Sequence, residues 1–236
     1  MADKKVCKPQ HPNSQIRKKA QSIYHLLDEL YGRPSWRTAQ TPLDELMVTI
    51  LSQNTNDQNR DMAFRNLKRT FPEWEQVRDA SLAEVVAAIR SAGLANQKGE
   101  RMQAILRQIS QETGGLDLTF LRTLDPTEAR QWLLRFKGIG PKTASIVMQF
   151  GLQQPAFPVD THIYRVSGRL GLRPSKMNVE KTHVWMEELF YPDQYGPAHL
   201  NLIRLGREIC HARHPDCRNC PLKRKCLYYQ QDSPKK

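Results

Sequence analysis

The sequence contains no apolar run approaching the roughly 20 residues that a membrane-spanning helix needs. Its first residues, Met1-Ala2-Asp3-Lys4-Lys5, have no apolar stretch behind their charges, which excludes the pattern of a secretory signal. The early Asp3 and the lack of an Arg-rich amphipathic pattern argue against a mitochondrial presequence. A cytoplasmic protein without a membrane partner is expected, nucleoid-associated in a prokaryote. Alternating apolar and polar runs are also missing, as is any repeat of constant period, so neither a sheet nor a solenoid is indicated. Cysteine is scarce: five in 236 residues, four of them crowded between Cys210 and Cys226 and Cys7 standing alone. Such clustering in a chain without a secretory signal points to metal ligation and away from a disulfide framework.

Positive charge is plentiful, and it is concentrated. The net charge is +12, and residues 1–34 and 204–236 hold ten of the twelve excess charges. If the two ends meet, they form a basic surface suited to a polyanion; basic tails in solvent are the plainer alternative.

The apolar pattern is helical almost throughout. Ile16, Ile23, Leu27 and Leu30 share a face over 14–31, with Ser14 as the expected N-cap. Thr41-Pro42 opens a second helix, and Ser81-Leu82-Ala83-Glu84 is a capping box for a segment that stops near Gly93. Further helices are expected over about 57–70, 97–112, 127–136, 141–150, 161–170, 178–189 and 197–209. The fold class is all-α.

The cysteines follow the spacing Cys210-x6-Cys217-x2-Cys220-x5-Cys226. Four thiolates suit either zinc or an iron–sulfur cluster. Zinc ribbons usually pair two C-x2-C knuckles and only one is present, whereas the irregular spacing suits a cubane reached by one meandering loop.

Leu133 to Ala144 joins two helices through Gly138-Ile139-Gly140. Glycine permits positive φ and close backbone approach, Ile139 can plug the core, and Pro141 can start a helix whose free N–H groups suit a phosphate. This reads as a helix–hairpin–helix motif; an ordinary corner with a glycine turn is the bland alternative. Lys142 falls in the first turn of the second helix, where the helix dipole disfavours a cation. An amine that gives up its proton is a nucleophile, although Lys142 could also simply touch phosphate. Asp160, in Val159-Asp160-Thr161-His162, precedes a helix and could act as its N-cap, as a reacting carboxylate, or both.

These segments, taken in order, resemble endonuclease III of the helix–hairpin–helix glycosylase superfamily: Gly138-Ile139-Gly140-Pro141-Lys142-Thr143-Ala144, Val159-Asp160-Thr161-His162 and the four-cysteine run. The likeness covers about residues 40–228. It implies a bifunctional DNA glycosylase and AP lyase of base excision repair, acting on duplex DNA with oxidised pyrimidines or abasic sites, and a monomer. Lys142 would be the Schiff-base lysine and Asp160 the assisting carboxylate, with Cys210, Cys217, Cys220 and Cys226 holding a 4Fe-4S cluster. Leu94, in Arg90-Ser91-Ala92-Gly93-Leu94, would be a wedge in the duplex. In Leu51-Ser52-Gln53-Asn54-Thr55-Asn56-Asp57, Asn54 stands where the family has a gap-filling Gln, which puts lesion and opposite-base preference in doubt. Ser52 and Asp57 match; Asp57 has a helix cap as its simpler role. Gly138, Gly140, His162 and Arg213 complete the implied DNA contacts.

The implied fold has two lobes: a six-helix barrel over 35–154, and a cluster domain formed by 1–34 with 155–236. Three alternatives stay open: a monofunctional or mismatch-directed glycosylase, a non-catalytic iron–sulfur DNA-binding protein, and a zinc protein.

Overall fold

The computed structural model describes residues 11–36 and 41–232; Cys7 and the outermost lysines lie outside them. Helices account for all the regular structure of the described residues, with no strand. In chain order they are α1 (Ser14–Tyr31), α2 (Pro42–Ser52), α3 (Asp57–Thr70), α4 (Trp74–Asp79), α5 (Leu82–Ala88), α6 (Ala95–Thr113), α7 (Pro126–Leu134), α8 (Pro141–Ile146), α9 (Thr161–Leu170), α10 (Val179–Glu187), α11 (Tyr195–Glu208) and α12 (Leu227–Asp232). The chain divides into two compact units: residues 36–158, holding α2–α8, and residues 1–35 with 159–236, holding α1 and α9–α12.

Local chemistry sets the helix starts. Asn13, not the expected Ser14, caps α1, accepting the Ile16 N–H at 2.9 Å. The shift by one residue lets the Asn carboxamide reach an amide that would otherwise lack a partner. Thr41 caps α2 and forms a reciprocal box with Asp44, and Ser81 does the same with Glu84 on α5. Two helices escape the sequence pattern. α4 and α12 have six residues each, too few to display a period of 3.6.

In the first unit, α2 is the central strut. Leu46, Met47, Ile50 and Leu51 are fully enclosed and face α3, α6 and α8. Burying each such side chain contributes about 1.5–3 kcal/mol. The stretch expected as one helix over 141–150 changes at Val147 into a π turn that runs to Leu152. The wider turn sets Gly151 on the start of α2, where a Cβ would lie 3.1 Å from Pro42 Cα and from Glu45 Cβ. In the second unit, α11 packs against α1 and α9, and α12 packs on α9. Ile23, Leu27, Ile163, Val166 and Leu202 form its interior.

One core position carries a charge. Lys98 shares the α6 stripe of Met102, Ile105 and Ile109 and is only 2% exposed. Its Nζ donates to Leu51 O at 2.8 Å and to Ala92 O at 2.7 Å. Burial, with the Arg101 cation adding to it, pushes the amine below the usual lysine range. Lys98→Met would strip both carbonyls of their donor. Unfolding in urea is expected to show a loss of about 2 kcal/mol; an unchanged midpoint would mean that the two bonds carry no net stability.

Candidate functional site

The hairpin grows from the end of α7. Leu133 and Phe136 anchor it in the core, and the Ile139 N–H returns to Phe136 O at 3.0 Å. Ile139 is buried, as its place between two glycines suggests. Gly138 holds φ +90°, a conformation that L side chains resist. Gly140 has extended φ, and a Cβ there would meet nothing within 4 Å. Its bareness therefore serves no internal packing and leaves open room beside the free N–H groups of α8. Thr143, Ala144 and Ser145 turn inward, while Lys142 is exposed and has no hydrogen bond or ion pair among the described residues.

Three further turns of the same unit hold a strained residue, Asn54, Leu94 and Gln153. Among the described residues, four that are not glycine hold positive φ: Asn54 (54°), Leu94 (49°), Gln153 (58°) and His214 (51°). Leu94 is also 50% exposed. An apolar side chain that stands in water on a left-handed backbone is costly twice over, a pattern typical of a functional contact. Asn54 is exposed, and Ser52 Oγ is engaged with Thr49 O at 2.7 Å. Asp57 is not the cap of α3. Asn56 is, accepting the Asn59 N–H at 2.8 Å, and Asp57 in the first turn pairs with Arg60 at 2.8 Å. Asn56, at the position before the helix, reaches the N3 amide, while the carboxylate one place later favours the positive helix end.

Asp160 lies in the other unit, as the N-cap of α9. Its Oδ1 accepts the Ile163 N–H at 2.7 Å, so Oδ2 stays outside that bond. His162 faces the Arg165 guanidinium, Nη2 to Nδ1 at 3.0 Å. A guanidinium only donates, so a neutral ring carries its proton on Nε2. Arg165 also donates to Gly206 O at 2.9 Å and to Cys210 O at 3.0 Å. One turn on, Arg169 donates to His211 O at 2.6 Å, to Ala212 O at 3.0 Å and to Cys210 Sγ at 3.4 Å. These two arginines were not foreseen. Their signal was present in the four-residue spacing that puts both on one face of α9. The loop 211–216, whose start Arg169 holds, has Arg213 exposed.

Cys210, Cys217, Cys220 and Cys226 line one cavity of about 380 Å³, counting the solvent at its mouth, with Val166, Leu170 and Leu205 among its apolar walls. Burial pushes the Cys220 thiol up to about 11 and the Cys217 thiol upward as well, the neighbouring thiols adding to both. Bringing four thiols together is unfavourable for their ionised forms until a cation shares the space. Among the described residues, no three His, Cys, Asp or Glu are gathered as the ligands of a single ion would be. The four thiols share one apolar-walled cavity, and a soft donor set of this kind fits iron–sulfur or zinc.

Residues 47–191 match the model of the HhH-GPD superfamily base excision DNA repair proteins. The chain belongs to this family. Endonuclease III of Thermotoga maritima is 33% identical over 190 residues, which cover 80% of this chain and 84% of that one. A putative DNA glycosylase of Arabidopsis thaliana is 41% identical over 155 residues, 66% of this chain; the match spans about half of that relative, 53%. A solved structure of a trapped endonuclease III–DNA covalent intermediate superposes with a TM-score of 0.73 at 25% identity, covering 89% of this chain and 97% of that one.

Leu94→Gly should remove about 1 kcal/mol of backbone strain, so the thermal midpoint holds or rises. Affinity for a duplex with an abasic analogue should fall severalfold in the same variant. Equal affinity would remove Leu94 from the DNA contact.

Proposed function

We propose that this protein is a bifunctional DNA glycosylase and AP lyase that acts on oxidised pyrimidines and abasic sites in duplex DNA as a monomer. The observation that carries this reading is Lys142: an exposed lysine without a partner among the described residues, at the second position of the helix that follows a Gly-Ile-Gly hairpin. In the proposal, the target nucleotide leaves the stack. The Lys142 amine attacks C1′ of its sugar, the bond from C1′ to the base breaks, and the base departs with a proton. The bond from C1′ to O4′ then opens, O4′ taking a proton, and the imine so formed acidifies C2′; loss of a proton there expels the 3′ phosphate by β-elimination. Asp160 takes a proton from the Lys142 ammonium or offsets the positive charge growing on the sugar, using the oxygen outside its cap bond. Gly138, Gly140, Leu94, Ser52, His162 and Arg213 are the proposed DNA contacts, Asn54 being a candidate for the gap left by the flipped nucleotide.

The test is borohydride trapping on an abasic duplex. Wild-type protein should yield a covalent adduct, Lys142→Ala should abolish it, and Asp160→Asn should slow it by about two orders of magnitude or more. No adduct with the wild type would sink the lyase reading and favour a monofunctional glycosylase.

Cys210, Cys217, Cys220 and Cys226 would hold a 4Fe-4S cluster, whose contribution is to fix the basic loop rather than to take part in bond cleavage. Protein purified without oxygen is expected to be brown and to carry about four iron and four sulfide per chain. A colourless protein with bound zinc would overturn this assignment.

A further inference from the structure

Helix α6 carries two cations one turn apart, and both reach back to the end of α2. Lys98 holds the Leu51 carbonyl. Arg101 goes two residues further: its Nη1 donates to Gln53 Oε1 at 2.6 Å. The same guanidinium lies across the hairpin. A Cβ at Gly138 would stand 2.7 Å from Arg101 Cδ, closer than real Cβ contacts occur. Gly138 therefore meets two demands at once, a positive φ and room for Arg101. The arginine spans the α2–α3 turn and the turn that precedes Lys142, both within one compact unit.

Gln53 is changed by this contact. The guanidinium can only donate, so the oxygen of the amide must face it and the NH₂ group is the end left free. Gln53 is half-buried and held at its tip. Asn54 beside it is exposed on a left-handed backbone. A side chain already held in place loses less rotamer freedom on contact than a loose one, so more of its interaction energy appears as discrimination. We propose that Arg101 is a positioning residue for recognition of the base opposite the lesion: it fixes Gln53 so that the Gln53 NH₂ group, and not the Asn54 side chain, meets that base. This rests on the DNA-glycosylase reading above.

The test compares full-length proteins on four duplexes, each with a tetrahydrofuran abasic analogue opposite A, C, G or T. With wild type, the four dissociation constants should spread about five- to tenfold, as one fixed hydrogen bond to a base edge allows. Gln53→Ala and Arg101→Met should each narrow the spread to about twofold. Arg101→Lys keeps a donor near Gln53 and should restore part of it, a rescue that a purely structural arginine would not show. Asn54→Ala should shift all four affinities together. A full spread in Arg101→Met or Gln53→Ala overturns the proposal, as does a spread lost in Asn54→Ala but kept in Gln53→Ala. Equal binding of all four duplexes by the wild type also overturns it. Should Arg101→Met fail to fold by circular dichroism, the Gln53, Asn54 and Arg101→Lys variants decide. Borohydride trapping on the same wild-type sample separates the two readings. A narrowed spread without any adduct removes the lyase and leaves the Arg101 role, whereas an adduct with an unaltered spread in Arg101→Met removes the Arg101 role alone.

Discussion

An ammonium buried in an apolar stripe is expensive, and Lys98 survives there because two carbonyls at helix ends meet it. Leu51 O belongs to the last turn of α2 and Ala92 O to the short 3-10 turn before Leu94. These ends lie 41 residues apart in sequence, and one Nζ ties them together. Two of the three strained non-glycine positions of this unit, Asn54 and Leu94, each follow within three residues of a carbonyl that Lys98 holds. Strain of this kind persists only where the surroundings over-determine it. The buried cation supplies that restraint, and Arg101 extends it to Gln53 and the hairpin glycine.

The second unit solves a related problem with exposed carbonyls. The last turn of α11 and the loop after it leave carbonyls without backbone partners, so the guanidiniums of Arg165 and Arg169 on α9 take up Gly206 O, Cys210 O, His211 O and Ala212 O. The helix that begins at Asp160 is thus the scaffold for the cysteine cavity. Its cap, its arginines and the loop form one connected piece. The Cys226 thiol closes the circuit by donating to Arg169 O at 3.3 Å. An arrangement of this sort keeps four thiols around a common space even though burial disfavours their ionisation.

Much of this was legible in the residues. Helix class followed from periodicity, the start of α2 from Thr41-Pro42, that of α5 from its capping box, the hairpin from Gly138-Ile139-Gly140, and the expectation of a metal from four cysteines at tight spacing. α4 and α12 escaped because one and a half turns display no period. The π turn after Ile146 escaped because it goes with a close approach of Gly151 to Pro42 and Glu45, which are about a hundred residues earlier in the chain.

Sequence alone therefore determined what local chemistry can specify: which segments are helical, where several begin, and which side chains, Lys142, Asp160 and the cysteines, are the candidates for the site. Tertiary structure decided which groups are held and which are left free. Lys98 is a core cation, Arg101 a clamp on Gln53, and Arg165 and Arg169 the frame of the cysteine loop, because each meets partners far away in sequence whose spacing no local pattern encodes. The physical reason is that a charged side chain in isolation is soluble anywhere. Only the carbonyls and amides brought to it by packing determine whether it is buried, paired or available.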